Sequence, residues 1–251
     1  MTAVVVPVPC LKDNYAYLVH QESSKRCIVV DPSEAAPVLR ACQAAGLELA
    51  AILNTHHHWD HVGGNPELAG EGLPVFGHES DAKRIFGLSE PLSHGQTFSV
   101  AGLSFRALHV PGHTLGAVSY LCEEKCFTGD TLFCGGCGRL FEGTPAQMLH
   151  SLSHTLGQLP DETEIFVGHE YTEQNLRFAA ALAPSDSLNE RLAEVEQRRA
   201  EGKFCASARL ALERATNPFL RCHLPDLQKI LGASENELIA FTKLRKLKDA
   251  A

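Results

Sequence analysis

Four imidazoles and a carboxylate fall within seven residues, Thr55-His56-His57-His58-Trp59-Asp60-His61, directly after the apolar run Leu49-Ala50-Ala51-Ile52-Leu53. Such side chains bind divalent metal ions, and a metal ion held at the end of a strand can activate water for hydrolysis. Along an extended chain, alternation puts His56, His58 and Asp60 on one side and His57 on the other, with His61 beside Asp60 where the chain turns. Two ligand pairs from one short segment point to two metals.

The rest of the chain offers what such a pair still lacks. Leu103 to Val110 runs into Pro111-Gly112-His113, Cys126-Phe127-Thr128 into Gly129-Asp130, and Ile165-Phe166-Val167 into Gly168-His169. Each time a glycine precedes the His or Asp, which lets the backbone turn at the strand end and present the side chain outward. Four strand ends are therefore expected to converge on one site. Open α/β sheets place their chemistry at the carboxyl ends of strands, so an active site fits better than a structural metal.

These residues, in this order, resemble the metallo-β-lactamase superfamily, whose His-x-His-x-Asp-His signature stands here as His56, His58, Asp60 and His61. Within it the chain is similar to the glyoxalase II (hydroxyacylglutathione hydrolase) family, through Thr55–His61, Gly135-Gly-Cys-Gly-Arg-Leu-Phe-Glu-Gly143, Gly168-His-Glu-Tyr-Thr172 and Thr216-Asn-Pro-Phe-Leu-Arg221. The resemblance implies an α+β fold, a four-layer αββα sandwich of two β-sheets face to face with helices outside, followed by an all-helical C-terminal domain. It implies that His56, His58 and His113 hold one metal, that Asp60, His61 and His169 hold a second, and that Asp130 bridges them. Asp60 and Asp130 would then serve catalysis around a shared metal-bound hydroxide. Arg139, Phe141, His169, Tyr171, Arg245 and Lys248 would contact the glutathione part of a thioester. The family often has tyrosine where this chain has Phe141, so only a backbone or stacking contact carries over there.

Imidazole and carboxylate ligands without thiolate suit Zn2+, with iron or manganese as the other choices, and zinc is the default at a hydrolytic site. Paired metals share a water whose pKa falls toward ~7. The motifs contain no obvious general acid, which fits a thioester: a thiol of pKa ~8.5 leaves as thiolate, whereas an amine must be protonated as it departs. Two other readings stay open: a superfamily persulfide dioxygenase using one iron and oxygen, and a metal-binding protein without turnover. A β-lactamase or nuclease would leave the cationic tail without a purpose.

Single residues also have plainer roles. Packing or solvation is expected for His57, His78, His94, His109 and His223, and a buried wall position for Trp59. Lys243, Arg245, Lys246 and Lys248 would also suit a helix end complementing its dipole. Cys134-Gly-Gly-Cys137 lacks the second pair a thiolate zinc site needs and reads as two thiols in a glycine-rich loop, redox sensing being the alternative.

Composition sets the frame. At 251 residues and 44% hydrophobic, the chain holds one large or two smaller domains with a substantial core. The N-terminus lacks a cationic lead and has prolines where a signal peptide needs an unbroken apolar segment, and no later segment is apolar for long enough to span a bilayer. Nine cysteines without regular spacing suit a reducing compartment, so a cytoplasmic protein with no membrane partner is expected, and a monomer. Residues 1–172 carry 9 Lys+Arg against 19 Asp+Glu, while residues 173–251 carry 13 against 11. The acidic part suits dications and argues against nucleic acid as a partner.

Strand-like runs recur at 4–6, 15–20, 27–30, 51–53, 75–76, 98–100, 103–110, 118–122 and 165–167, with helical stretches at 37–45 and 144–158. After Tyr171 the pattern turns helical, and Ser187-Leu-Asn-Glu190 and Ser234-Glu-Asn-Glu237 read as capping boxes. Asn217-Pro218 and Leu224-Pro225 interrupt the helices. The expected domains are 1–172, catalytic, and 173–251, helical and substrate-binding.

Overall fold

Apolar runs rich in valine and isoleucine become strands in the first half of the chain because each can be buried on both faces. In the computed structural model, which describes residues 2–70, 72–233 and 235–251, the chain packs as two units. One runs to His109 and includes Gly116–Gly129; the other comprises Val110–Leu115 and Asp130–Ala251.

The first unit opens with β1 (Ala3–Cys10), β2 (Asn14–Gln21) and β3 (Arg26–Val30), then α1 (Ala35–Ala45), β4 (Glu48–Leu53), α2 (Trp59–Val62), α3 (Asn65–Ala69), β5 (Val75–His78) and β6 (Glu90–Leu92). The six strands form one sheet in sequence order. β1 to β3 pair antiparallel, and β3 to β6 pair parallel. Four further strands, β7 (Thr97–Val100), β8 (Leu103–His109), β9 (Val118–Cys122) and β10 (Lys125–Gly129), form an antiparallel meander.

Alternation along β3 decides which layer each side chain joins. Cys27 and Val29 pack with Val38 and Cys42 of α1 and with Leu18 and Ile52. On the opposite face, Tyr17 meets Phe127 with ring centroids 5.7 Å apart, and Phe76 stacks on Phe98 at 4.7 Å. The two sheets of this unit thus share an aromatic core, and each fully buried Leu, Ile or Phe contributes roughly 1.5–3 kcal/mol. Tyr120, also buried, donates its hydroxyl to the carbonyl of Asn54 at 2.7 Å, so the end of β4 is tied to the meander just before the histidine run.

The second unit holds β11 (Leu132–Phe133) and β12 (Gly136–Cys137), α4 (Pro145–His150), β13 (Glu164–Val167), α5 (Thr172–Leu182), α6 (Asp186–Ala200), β14 (Ser207–Arg209), α7 (Leu210–Thr216), α8 (Pro225–Ile230) and α9 (Glu237–Asp249). The helical stretch expected over 144–158 is α4 followed by a π turn and a 3₁₀ turn, and Thr144 and Gln147 close a capping box at its start. The tail is helical after Tyr171 except for β14, which pairs antiparallel with β13 and had no strand signal of its own. One cap differs from expectation. The cap of α6 lies two residues before Ser187: Ser185 is extended and accepts from the amide of Leu188, and Leu188 cannot return the bond as a glutamate would. Ser234, the first residue of the other expected capping box, lies outside the described residues; α9 is capped by Asn236, which accepts from the amide of Ile239.

A buried ion pair organises this unit. Arg191 of α6 donates to Glu213 of α7, both sealed from solvent, and Glu213 also accepts from the amide of Gly135 at 2.8 Å and from Asn217 at 3.0 Å. A charge stranded by loss of its partner in such a place is costly. Glu213→Ala is expected to lower the unfolding free energy by ~3–5 kcal/mol, measured by urea denaturation. Stability equal to the parent's would mean Arg191 reaches water or another acceptor.

Candidate active site

Asn54, Thr55 and His56 continue from β4 and are fully buried, so their polar atoms must be satisfied inside the protein. The partner is Asp31, at the end of β3. Its carboxylate accepts from the amide of Thr55 at 2.7 Å, from the Thr55 hydroxyl at 2.6 Å and from His61 Nδ1 at 2.9 Å. Asp31 holds φ = 49°, a left-handed conformation that costs a non-glycine residue about 1–3 kcal/mol and persists where neighbouring bonds over-determine it. Since Thr55 gives its hydroxyl proton to Asp31, the bond at 3.0 Å between Thr55 Oγ1 and His56 Nδ1 has the histidine as donor. Both His56 and His61 therefore carry their proton on Nδ1, which leaves the Nε2 lone pair available for a metal.

The strand does not stay extended as far as Asp60. His58 is the extended cap of α2, whose first turn carries Asp60 and His61 and is closed by the amides of His61 and Val62 on the His58 carbonyl. Alternation accounts for His56 and His58 facing one another, with Nε2 and Nδ1 3.1 Å apart, and for His57 pointing elsewhere. Helical spacing brings Asp60 and His61 together, at 3.7 Å between Oδ2 and Nε2. Asn14 holds Asp60 by donating to Oδ2 at 3.1 Å and to the main-chain carbonyl at 3.0 Å. Trp59, expected in a buried wall, is 71% exposed. It occupies the first position of α2, where His61 takes the inward face.

In the second unit, Asp130 lies between two imidazoles. Its Oδ2 is 3.5 Å from His113 Nε2 and 3.3 Å from His169 Nε2. The Arg139 carbonyl can only accept, so the 2.8 Å contact from His113 Nδ1 assigns that nitrogen the proton and turns the Nε2 lone pair toward Asp130. Two glycines permit this placement. Gly129 has φ = 50°, and a Cβ there would lie 2.3 Å from Thr55 Oγ1; a Cβ on Gly138 would lie 1.9 Å from the Asp130 carbonyl. His169 stacks on Tyr171 at 4.7 Å and 4°, and Phe141, 64% exposed, presents its ring edge-on to His113 at 5.2 Å.

These separations fit metal ligands. A four-coordinate ion with bonds of ~2.0–2.2 Å spaces its donors ~3.3–3.6 Å apart. The pairs His56/His58, Asp60/His61, His113/Asp130 and His169/Asp130 lie between 3.1 and 3.7 Å, and every donor is an imidazole nitrogen or a carboxylate oxygen. Asp31, His56 and His61 also offer donor atoms within 4.8 Å of one another, but Asp31 is occupied with orienting its neighbours.

A cavity of about 400 Å³ opens in the second unit from His113 and Asp130 to Arg139, Tyr171, Arg245 and Lys248. The cations differ in freedom. Arg245, expected from the sequence to contact glutathione, is buried, donates to the Cys137 carbonyl at 2.8 Å, pairs with Asp249 at 3.0 Å and lies over the Phe219 ring, so it braces the loop of Cys137. Lys248 is half-buried with its ammonium over Phe178; burial and then the neighbouring Arg245 and Arg139 hold its pKa below the ordinary lysine value. Beneath the loop, Asn217 donates to the carbonyls of Phe133 and Gly136, which explains the Thr216–Arg221 motif. Burial pushes the Cys137 thiol up to about 11, against the pull of Arg245, and Cys134 is raised well above the usual range by burial and then by Glu213. Both are thiols at neutral pH.

Sequence reasoning missed Asp31, Asn14, Asp249 and the bracing pair Glu213 and Asn217. Asp31 had a signal, since Ile28-Val29-Val30-Asp31 is another apolar run ending in a ligand-type residue, though without a glycine, and Asn217 stood in the Thr216–Arg221 motif without an assigned role. Of the histidines expected to pack or be solvated, His78 stacks on His109 at 4.0 Å, and His94 and His223 are exposed.

Residues 12–169 match the family model of the metallo-beta-lactamase superfamily, and residues 170–251 match that of the hydroxyacylglutathione hydrolase C-terminus. Hydroxyacylglutathione hydrolase of Gloeobacter violaceus is 49% identical over 244 residues, covering 95% of this chain and 96% of that protein. The enzyme of the same name from Methylococcus capsulatus is 46% identical over 250 residues, covering 98% and 97%. Among solved structures, ETHE1 from Myxococcus xanthus aligns with a TM-score of 0.69 at 24% identity, covering 98% of this chain and 91% of that one, a likeness of fold. TTHA1623, solved in a di-iron-bound form, aligns with a TM-score of 0.59 at 29% identity, covering 86% and 100%. The fold is that of the metallo-β-lactamases with a helical C-terminal part, and the chain belongs to the hydroxyacylglutathione hydrolase family of that superfamily.

Proposed function

We propose that this chain is a binuclear metal-dependent thioester hydrolase that converts S-(2-hydroxyacyl)glutathione, S-D-lactoylglutathione among such substrates, to glutathione and the 2-hydroxy acid. The step belongs to methylglyoxal breakdown in the cytoplasm, where nine free cysteines are at home. The observation that carries the reading is the cavity of the second unit, whose lining combines the imidazole of His113 and the carboxylate of Asp130 with three cations, Arg139, Arg245 and Lys248. Kinship adds to it, since relatives 43–49% identical over nearly their whole length bear the name hydroxyacylglutathione hydrolase.

His56, His58 and His113 would hold one metal, Asp60, His61 and His169 the other, and Asp130 would serve both. The grouping follows the family's ligand order and is supported by Asp130 Oδ2, which faces His113 and His169 at once. Zinc is the default for such donors, and the two irons of TTHA1623 keep iron in play. When bound, the ions polarise the thioester carbonyl and bring the pKa of water from 15.7 to about 7.

The chain's own groups supply position and charge. Asn14 fixes Asp60, Asp31 fixes His61, and the Arg139 carbonyl fixes His113, so the ligand atoms are oriented before metal arrives. Arg139 and Lys248 receive the carboxylates of glutathione, Tyr171 and Phe141 flank it, and Arg245 holds the loop of Cys137 and Gly138 in place. A thiolate of pKa ~8.5 departs without a proton donor, so no acid need be positioned at the leaving sulfur. The catalytic domain is residues 1–172, and residues 173–251 add Lys248 and Arg245 to the substrate grip.

Fully active protein should contain two equivalents of metal per chain by elemental analysis, and Asp130→Ala should lose both together. Loss of one alone would remove Asp130 from the bridge. Hydrolysis of S-D-lactoylglutathione tests the activity itself; oxygen uptake with glutathione persulfide in place of thioester cleavage would overturn it.

Lys248→Ala should raise KM for the glutathione thioester roughly tenfold, about 1.4 kcal/mol, with metal content unchanged. A small thioester without the glutathione carboxylates should be hydrolysed equally by parent and variant. An unchanged KM for the glutathione substrate would reduce Lys248 to a solvated helix end. Arg245→Ala is expected to lose stability as well as affinity, because it leaves the Cys137 carbonyl without its donor.

A further inference from the structure

His57 stands between two metal-ligating histidines, yet its ring is engaged on the opposite side. Its side chain is 15% exposed; Nδ1 lies 3.3 Å from Asp81 Oδ2, and Nε2 lies 3.3 Å from Arg84 Nη1. Arg84 also grips the other oxygen of Asp81 through Nη2, so the three side chains close a ring of contacts. A guanidinium only donates, so His57 Nε2 accepts, and Nδ1 keeps the proton and gives it to Asp81. These contacts hold the ring at both nitrogens.

The anchor of this ring is rigid. Asp81 has no exposed surface and ends the turn Glu79–Asp81 that follows β5. Its carbonyl accepts from the amides of Arg84 at 2.8 Å and Ile85 at 2.9 Å, and Ile85 is embedded in the core. A Cβ on Gly116 would lie 2.3–2.5 Å from the Asp81 carboxyl atoms, so only glycine lets the chain ahead of β9 approach so closely. Two residues on, the amide of Val118 donates to the Thr55 carbonyl at 2.8 Å. Asp81 is thus wedged between the histidine segment and the start of β9.

We propose that His57 is a positioning residue: by locking its ring, Asp81 and Arg84 hold the backbone between His56 and His58 so that both ligands keep chelating geometry, and the clamp sets how long the metal stays. This rests on His56 and His58 being metal ligands. A chelating pair binds tightly when its donors are already placed, since swivelling either ring costs rotamer entropy on binding. Thr55 orients His56 through Nδ1. The edge-to-face contact of the His57 ring, with centroids 5.0 Å apart, provides the corresponding support for His58.

The metal-loaded protein is challenged with a colorimetric chelator and the rate of metal release is followed, together with kcat, KM and the melting temperature of the metal-free form. His57→Ala is expected to release metal about 10–100-fold faster, the usual cost of losing a partner behind a ligand. KM should be unchanged, the metal-free melting temperature close to the parent's, and kcat restored by excess metal. Arg84→Ala, a change at the surface, should move release in the same direction, and His57→Gln, which keeps a donor and an acceptor at similar reach, should recover most of the parent's retention. Parent-like release from both His57→Ala and Arg84→Ala, with metal lost from His58→Ala, would overturn the clamp and leave the ligand reading intact. Full retention by His58→Ala would overturn both.

Discussion

A carboxylate sealed from water must be answered by donors, and the histidine segment of this protein is built around that requirement at Asp31. Its carboxylate takes an amide and a hydroxyl from Thr55 and an imidazole N–H from His61, each at 2.9 Å or less. Replacing any of these donors by nothing would leave a buried charge uncompensated, a cost of several kcal/mol that no surface contact offsets. The consequence reaches the ligands. Once Thr55 has committed its proton to Asp31, His56 must donate to Thr55, and His61 donates to Asp31 itself. Both rings are left with Nε2 unprotonated, so orientation and protonation state come from the same set of bonds.

The same economy appears in the second unit. The loop between β11 and Arg139 has few apolar side chains to anchor it, and polar groups from distant helices do the anchoring. Glu213 and Asn217 seize its amides and carbonyls from below, and Arg245 takes the Cys137 carbonyl from the side. Arg191 neutralises Glu213, and Asp249 partly neutralises Arg245. These ion pairs, Arg191–Glu213 buried and Arg245–Asp249 with an exposed carboxylate, would not be the cheapest way to stabilise a core, since apolar residues of similar volume often do as well. They allow a glycine-rich hairpin to keep one shape beside Asp130, where Gly138 comes too close to tolerate any side chain.

The cations of the cavity divide accordingly. Arg245 is committed to the loop, Arg139 is 64% exposed with a neighbouring Asp249 carboxylate 3.8 Å away, and Lys248 is half-buried among other positive charges. A lysine in that setting is already partly desolvated. An anion placed beside it would relieve repulsion as well as add attraction, and these groups line one cavity with His113 and Asp130.

The sequence alone was enough for the longer strands and the family, though not for β6, β11, β12 or β14, because the longer strands follow apolar alternation and the family follows the spacing of His56, His58, Asp60 and His61. It was also enough to divide an acidic, strand-rich part from a more basic, helical one. Boundaries set by competition escaped it. Ser185 rather than Ser187 caps α6, β14 forms only because β13 is there to pair with, and Trp59 faces solvent because His61 occupies the inner side of α2. Tertiary structure also decided the supporting residues. Asp31, Asn14, Asp81, Glu213 and Asn217 act across sequence separations of up to 84 residues, and a side chain's value as a hydrogen-bond partner depends on which backbone the fold brings beside it. A ligand is legible from its own chemistry and spacing, but the residue that orients it is defined only by a distance in space.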